Sequence, residues 1–448
     1  MARGRRAAAL GRLDHPDQRG QDLHLSCVVD RPGGRPLTPV SEALALILAA
    51  IAPLEAVESV PIHAIAGRIA AVDLYASRSL PPFDASAMDG FGLHAADAER
   101  RPPFWLELVG LVRANGQPTI KLAPGQSVQV MTGARVPRGV AQVVMQEHCR
   151  IEGDRVEIGA IPTRRSDIRR SGEDLKEGEL ILAAGQRLDP RHILLLAPLG
   201  YREVVVRRRI RVAILSTGDE LVEPGGSLGA GTIFDVNRPL LQALLEGPDL
   251  TLIDAGRIGD DRPALRARLT ALAAEADLII TSGGVSGSAA DHLADAIADA
   301  GAAPTVFRLA LKPGKPMLFG RIGQVPVLGL PGSPRAVLVT GLLFARPAIR
   351  RMAGIEAESA AITARLATPV MRKPGRMEFA PARLTRDGDG AWRAALIDTR
   401  DASQLLAWTQ ADALVRIPAD AEALPAGTMV DAVPLRDPDG RLPVLPSG

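Results

Sequence analysis

The chain has 448 residues, enough for about two to four domains, and its 46% hydrophobic and 23% charged residues are ordinary for a soluble globular protein. A formal net charge of +2 argues against a general nucleic-acid or membrane-surface binder, and no apolar run reaches the roughly 20 residues that span a membrane. Only Cys27 and Cys149 are present, without partners at disulfide or metal-site spacing, which indicates a reducing cytoplasm.

The first part of the chain contains an arginine-rich start and a region of predicted strands. Residues 1–36 begin with arginines but no apolar segment follows, so we expect a flexible N-terminal extension. Residues 84–168 alternate strand-like segments with Gly and Pro turns, which predicts a small inserted β domain. As bare patterns, "PPFDASAMDGFGL" (81–93) is a turn and "IRRSGEDLKEGE" (168–179) is a charged surface loop.

The region 209–353 alternates short apolar runs with longer amphipathic ones, which is typical of βαβ units and a mostly parallel sheet. Leucines at helical spacing predict a helix after the second strand, and either Asp260 or Asp261 caps its start. Residues 357–447 are again strand-like and predict a terminal β-barrel or sandwich. The four candidate strands are Arg211–Leu215, Thr251–Ala255, Asp277–Ile280 and Val325–Leu328, and the leucines are Leu265, Leu269 and Leu272.

Polar or glycine-rich residues follow each of the four strands, at the edge where open α/β sheets bind ligands. The loop "TSGGVSGSAADH" (281–292) offers bare backbone N–H groups and hydroxyls, which suit a phosphate. The alternative is a tight turn in which Ser288 is an ordinary helix cap. The candidate binding residues in these tips are Ser282, Gly283, Gly284, Ser286 and Ser288, together with Pro331, Gly332 and Ser333 of "GLPGSP".

Charged residues near the same tips suggest two kinds of contact with an anion. The segment "LALKPGKPMLFG" presents Lys312 and Lys315 on a proline-stiffened loop, with Arg308 just before it. These cations suit an oxyanion, although a solvated basic turn is the alternative. Carboxylates supply oxygen ligands to a Mg²⁺ that also contacts phosphate. The alternative is that these carboxylates cap helices or are charged surface residues. The candidate metal ligands are Glu220, Asp260 and Asp291.

Taken in order, eight segments of the chain resemble the molybdopterin molybdenumtransferase family, to which the carboxy-terminal domain of gephyrin also belongs. The resemblance runs from about residue 37 to the end. The segments are "PPFDASAMDGFG", "VMTGARVPRGVAQVVMQE", "IRRSGEDLKEG", "AILSTGDELVEPG", "SGGVSGSAAD", "LKPGKPMLFG", "GLPGSP" and "GRMEF".

The resemblance implies a multidomain α/β plus β fold with four parts. They are an elongated linking domain (37–83 plus 169–208), the inserted β domain (84–168), an α/β molybdopterin-binding domain with a mostly parallel sheet (209–353) and a C-terminal β-barrel domain (357–447). It also implies a cytoplasmic homodimer with the active cleft between subunits. Transient contact with other proteins of molybdenum cofactor biosynthesis is a further expectation.

The implied reaction inserts molybdenum from molybdate into adenylylated molybdopterin, with Mg²⁺-dependent release of AMP. The anion of the glycine loop is then the phosphate part of the pterin nucleotide. The implied catalytic positions are Asp174, Glu220, Asp260, Asp291, Arg308 and Lys312. Asp89, Thr132 and Ser403 match positions linked to the same cleft.

Some positions depart from the family pattern. Gly287, Ser288 and Ala289 replace the usual loop residues, and Ser333 replaces a frequent asparagine. These changes concern nucleotide handling and leave two alternatives open: a non-catalytic molybdopterin-binding or scaffold paralogue, and a sugar-phosphate or nucleotide transferase. Which carboxylate binds the metal also stays open.

Overall fold

A computed structural model of the chain describes residues 36–161, 166–285, 292–355, 361–398 and 404–435. All but the last residue of the predicted N-terminal extension therefore lie outside the described residues, as does Cys27. Three six-stranded sheets dominate the described part of the chain. Among the described residues, no helix has the length and apolar character needed to cross a membrane.

The central α/β sheet contains four parallel strands and two antiparallel strands at one edge, which confirms the predicted mostly parallel sheet. Each predicted strand is present and extends by two or three residues toward the carboxyl edge, because the observed strands continue into the polar tips. In spatial order the strands are Leu250–Ile258, Ile210–Thr217, Leu278–Ser282, Val325–Leu330, Pro316–Ile322 and Thr305–Arg308.

Helices cover both faces of this sheet. Alternate residues of the parallel strands point to opposite faces, so Val212 and Ile214 belong to one hydrophobic core and Ala213 and Leu215 to the other. The helices are Asn237–Leu245, Arg262–Glu275, Leu293–Asp299, Pro334–Thr340 and Arg346–Met352, with Val40–Ala49 packed on the first core.

The helix Arg262–Glu275 forms as its leucine spacing predicts. Leu265, Leu269 and Leu272 are buried on one stripe against the sheet. The side chain of Asp261 accepts a hydrogen bond of 2.7 Å from the backbone N–H of Ala264, so Asp261 is the cap. The side chain of Asp260 is therefore not the one that caps this helix.

A second six-stranded sheet lies within residues 90–158 and is built from short, mostly antiparallel strands. Its order is Val140–Met145, Gly90–His94, Gln126–Val130, Phe104–Val112, Arg155–Ile158 and Cys149–Glu152. Three two-stranded ribbons connect the segments before and after it: Val57–Pro61 with Glu203–Arg207, Leu74–Tyr75 with Leu180–Leu182, and Ala85–Ser86 with Ile168–Arg169.

The C-terminal sheet closes into a barrel because Met377–Arg386 pairs with both Trp392–Leu396 and Ala413–Ile417. The ring is completed by Ile362–Leu366 and Met429–Pro434, so a barrel and not a sandwich is formed. Leu311–Lys312, from the preceding region, adds a short parallel strand to it. Five alanines lie in the barrel core: Ala364, Ala382, Ala394, Ala413 and Ala432.

Candidate functional site

A cleft of about 320 Å³ opens at the carboxyl edge of the α/β sheet, where strands Ile210–Thr217 and Leu278–Ser282 end. This is the edge at which open α/β sheets place their ligands, because loops and helix starts converge there. Its polar lining comes from Thr217, Gly218, Glu220, Asn237, Asp260, Ser282, Gly283, Gly284 and Gly332.

One wall of the cleft is acidic. Glu220 and Asp260 both line it, and the backbone N–H of Asp260 donates a 3.1 Å hydrogen bond to Oδ1 of Asp219. Burial raises the pKa of Asp260, and the negative charges of Asp219 and Glu220 raise it further. The structure thus brings together two of the predicted carboxylates. Asp219 holds the backbone of Asp260 in place through the hydrogen bond just described.

The glycine loop beside this wall has a backbone that requires glycine. Gly283 has a φ of +95°, and a Cβ at this position would lie 2.5 Å from the Thr217 carbonyl oxygen. The Ser282 hydroxyl is buried and donates to the Pro331 carbonyl at 3.3 Å, so that side chain ties the two loops together. The loop therefore offers mainly backbone to the cleft.

The "GLPGSP" segment meets the glycine loop at Gly332. Nδ2 of Asn237 donates a 2.7 Å hydrogen bond to the Gly332 carbonyl, while Pro331 contributes its own carbonyl to Ser282. Ser333 precedes helix Pro334–Thr340, and its side chain makes no capping hydrogen bond. Nothing in the sequence pattern singles out Asn237. It lines the cleft because it follows strand Ile233–Phe234, which pairs with strand Leu221–Val222.

The predicted basic residues lie outside the set that lines the cleft. Nζ of Lys312 pairs with Oε1 of Glu378 in the barrel at 2.8 Å. Arg308 ends the edge strand Thr305–Arg308, and the Lys315 carbonyl accepts a 2.7 Å hydrogen bond from the Leu309 backbone. Pro316, directly after Lys315, does line the cleft, so the basic loop reaches its rim.

Asp89, Thr132 and Asp174 belong to a separate group, which we call the junction cluster, together with Asp84 and Arg170. Oδ1 of Asp89 accepts hydrogen bonds from the Thr132 backbone at 2.6 Å and from its hydroxyl at 2.7 Å, and these lower the pKa of Asp89. Asp174 pairs with Arg169, and Asp84 accepts 2.6 Å and 2.9 Å hydrogen bonds from Arg170 and the Ser171 backbone. None of the residues around the cleft comes from this cluster.

The remaining predicted site residues, Ser286, Ser288, Asp291 and Ser403, lie outside the described residues, as do Gly287 and Ala289. Within the described ranges, no group of three or more His, Cys, Asp and Glu side chains is close enough to hold a metal ion. Asp291, one of the three predicted ligands, lies outside these ranges, so the set of Glu220, Asp260 and Asp291 stays a prediction.

Three sequence-family models match consecutive parts of the chain. Their descriptions are "MoeA N-terminal region (domain I and II)" for residues 38–200, "Probable molybdopterin binding domain" for 213–351, and "MoeA C-terminal region (domain IV)" for 363–435. The cleft described above lies in the second of these regions.

Curated relatives and solved structures agree with these matches. The chain is 38% identical to a molybdopterin molybdenumtransferase of Haemophilus influenzae over 64% of its own length and 71% of the relative's. It is 34% identical to molybdopterin molybdenumtransferase 2 of Mycobacterium tuberculosis over 83% of its length and 93% of the relative's. The crystal structure of a molybdopterin biosynthesis moeA protein from Pyrococcus horikoshii superimposes with a TM-score of 0.77 at 30% identity, covering 90% of this chain and all of that one.

Proposed function

The chain belongs to the molybdopterin molybdenumtransferase family, and from this membership we propose that it transfers molybdenum to a molybdopterin substrate bound in the cleft. The observation that carries the proposal is the position of Glu220 and Asp260 beside the glycine backbone of Gly283 and Gly284. Carboxylates and unobstructed backbone in one cleft suit a phosphate-bearing ligand accompanied by a divalent cation.

We propose adenylylated molybdopterin and molybdate as the substrates. The phosphates lie against the backbone at Gly283 and Gly284, and water attacks the linkage between them, so that AMP separates from the pterin phosphate. The two dithiolene sulfurs bind molybdenum from molybdate, and a displaced oxo group takes the two thiol protons and leaves as water. Arg308 and Lys312 neutralise charge on the oxyanions, for which Lys312 exchanges its ion pair with Glu378 for one with the ligand.

Mg²⁺ is part of the proposal because the chemistry of the acidic wall fits it. Burial raises the pKa of Asp260 and the charges of Asp219 and Glu220 raise it further, so the wall carries crowded negative charge that a hard cation relieves. Glu220 and Asp260, with Asp291, would hold the ion. When bound, Mg²⁺ supplies positive charge that polarises the phosphoryl group.

We further propose a cytoplasmic homodimer in which the junction cluster of one subunit completes the cleft of the other. In support, Asp89, Thr132 and Asp174 match family positions linked to the cleft, yet within one chain they line no part of it. A second subunit would supply them to this cleft. The presence of only two cysteines in the chain supports a reducing compartment.

The direct test is an assay of purified protein with adenylylated molybdopterin and Mg²⁺, with and without molybdate. We expect molybdate-dependent AMP release accompanied by molybdenum retained on the pterin. An identical reaction without Mg²⁺, or with EDTA, is expected to release little AMP.

The alternative function is a non-catalytic molybdopterin-binding paralogue, which the departure from the family pattern at Gly287, Ser288 and Ala289 favours. Tight binding of adenylylated molybdopterin without AMP release would establish that alternative. Absence of both binding and release would refute both functions.

A further inference from the structure

Arg238 is a buried arginine next to the cleft, and neither the phosphate chemistry nor the metal chemistry uses it. It is the second residue of helix Asn237–Leu245 and is only 6% exposed. Its guanidinium holds three carboxylates: Nε donates to Oδ2 of Asp235 at 3.2 Å, Nη1 donates to Oδ1 of Asp254 at 2.6 Å, and Nη2 pairs with Glu223. A single arginine therefore ties together the chain segments that carry these carboxylates.

Stability alone is a poor explanation for this ion-pair network. Removing charges from water is costly, and apolar residues of similar volume often stabilise a fold at least as well as a buried charged network does. A planar guanidinium, however, fixes the directions in which its carboxylate partners lie. What the network adds over apolar packing is therefore a fixed geometry of the segments around Arg238.

The first of these segments carries Glu220, one of the two carboxylates of the acidic wall. Strand Leu221–Val222 begins directly after Glu220, and Glu223 follows the strand. The backbone N–H of Asp235 donates a 2.8 Å hydrogen bond to the last carbonyl of the same strand. Two partners of Arg238 thus hold this strand just beyond Glu220.

The second segment carries Asp260 and contains a β-bulge. In strand Leu250–Ile258 the register against the neighbouring strand shifts directly after Asp254. Oδ1 of Asp254 accepts from Nη1 of Arg238 and, at 2.9 Å, from the backbone N–H of Gly256, whose φ is +73°. A bulge changes the direction of the residues that follow it, and Asp260 lies shortly after this one. Arg238 therefore holds the bulge that directs Asp260.

We propose that Arg238 is a positioning residue that sets the separation of Glu220 and Asp260 in the acidic wall. It acts through Glu223 and Asp254, which stand on the two segments. This inference rests on the proposed function, in which the wall holds a divalent cation. Without the guanidinium the two segments move independently, and the wall loses the fixed spacing that the ligand geometry of Mg²⁺ requires.

The first test is hydrogen exchange of backbone amides, measured by mass spectrometry on Arg238→Lys without metal or substrate. Lysine keeps the positive charge but lacks the planar fork that holds three carboxylates. We expect the amides of residues 254–260 to exchange at least about tenfold faster than in the wild type. Strand Leu278–Ser282, which lies in the same sheet, is expected to exchange as in the wild type.

The second readout is the Mg²⁺ requirement of AMP release. The Mg²⁺ concentration for half-maximal release is expected to rise about tenfold in Arg238→Lys, because outer partners of metal ligands tune metal affinity by such factors. Saturating Mg²⁺ is expected to restore most of the turnover. A purely structural role would lower the melting temperature and leave this Mg²⁺ requirement unchanged.

Arg187→Lys is the matched control. Arg187 pairs with Asp249 at 2.7 Å, directly before the opposite end of strand Leu250–Ile258, and also donates to the Gly67 carbonyl at 2.7 Å. The control is expected to lose thermal stability but to keep wild-type exchange at residues 254–260 and the wild-type Mg²⁺ requirement. If Arg238→Lys does not fold, Asp254→Asn decides the question, because it weakens the same ion pair from a side chain that is half exposed.

Two results would overturn the positioning role: wild-type exchange of residues 254–260 in the folded variants Arg238→Lys and Asp254→Asn, or an equal increase in the Arg187→Lys control. The proposed function is judged separately, by AMP release from adenylylated molybdopterin in the wild type. A wild type that releases no AMP would refute the transferase, while hydrogen exchange would still decide what Arg238 does.

Discussion

Asp260 and Asp261 are adjacent in the chain but have different surroundings. Asp261 accepts a hydrogen bond from the Ala264 backbone and caps a helix, while Asp260 faces the cleft with Glu220. The sequence pattern left the capping role open between the two. The backbone turn decides it, because only one of two successive side chains points along the helix start.

Asp260→Asn is expected to lower turnover about 100-fold or more, because a neutral amide is a poorer partner for a metal–phosphate pair. The fold should persist, since the change removes repulsion from Asp219 and Glu220. AMP release and a thermal melt of the variant would check this. Asp261→Asn is the matched control, because asparagine also caps helices well. Near-wild-type turnover in Asp260→Asn would contradict the assignment.

Gly283→Ala is expected to destabilise the protein by roughly 1–3 kcal/mol and to weaken pyrophosphate binding. The cause is a φ of +95° combined with a 2.5 Å approach to the Thr217 carbonyl. Gly323→Ala is a useful comparison, because its φ is +59° and no atom lies within 4 Å of the added Cβ. It should cost only about 1 kcal/mol. Equal urea midpoints for the two variants would show that the close approach is unimportant.

At the scale of elements, the sequence predicts what local periodicity encodes. The parallel strands, the leucine stripe of Arg262–Glu275 and the polar strand tips follow from spacing alone and are confirmed. Pairing between distant segments is different. Strand Leu311–Lys312 joins the barrel through Met377–Arg386, which no local pattern encodes. Asn237 escaped prediction for the same reason, since its partner Gly332 is 95 residues away.

Asp277 joins two strands of the α/β sheet through paired arginines. Oδ1 of Asp277 accepts a 3.0 Å hydrogen bond from Nη2 of Arg211 and another of 3.0 Å from Nη2 of Arg208. Burial by itself raises the pKa of Asp277, but the hydrogen bonds from Arg211 and Arg208 and the charge of Arg208 outweigh it, so that the pKa is lowered overall.

Asp277→Asn is therefore expected to lose roughly 1–3 kcal/mol of stability at pH 7. A carboxyl whose folded-state pKa lies below its unfolded value of about 4 stabilises the fold above that pH, and the effect disappears as pH falls through the folded-state pKa. Urea midpoints at pH 7 and pH 3 would show the difference between variant and wild type shrinking at the lower pH. The exposed Asp154→Asn should show no such trend. A constant difference would contradict the assignment.

At the scale of the whole molecule, the order of motifs predicts the architecture and the family, but not which side chains share a site. Glu220 and Asp260 meet in the cleft, whereas Asp89, Thr132 and Asp174 lie in the junction cluster. A sequence carries no signal that distinguishes a site within one chain from a site across two. In the proposed homodimer, subunit assembly decides it, through surfaces that single-chain patterns do not encode.

Mixing Asp174→Asn and Asp260→Asn subunits, each inactive alone, is expected to restore about a quarter of wild-type activity. If the cleft is completed by the partner, each mixed dimer has one site with both residues intact, and random mixing makes half the dimers mixed. Co-expression with two affinity tags and an AMP-release assay would measure this. Activity that stays at the level of the separate variants would refute a shared cleft.

The barrel and the α/β region cannot be separated into independent pieces, although the family models end and begin between them. Met377, Phe379, Trp408 and Leu414 belong to the same hydrophobic core as the α/β strands. The Met377 backbone N–H also donates to the Ala310 carbonyl at 2.7 Å. Truncation before the barrel would leave the basic loop without its neighbouring strand and open that core to water. The sequence matches separate family models in the two regions, but the barrel and the α/β region share one hydrophobic core and form one folding unit.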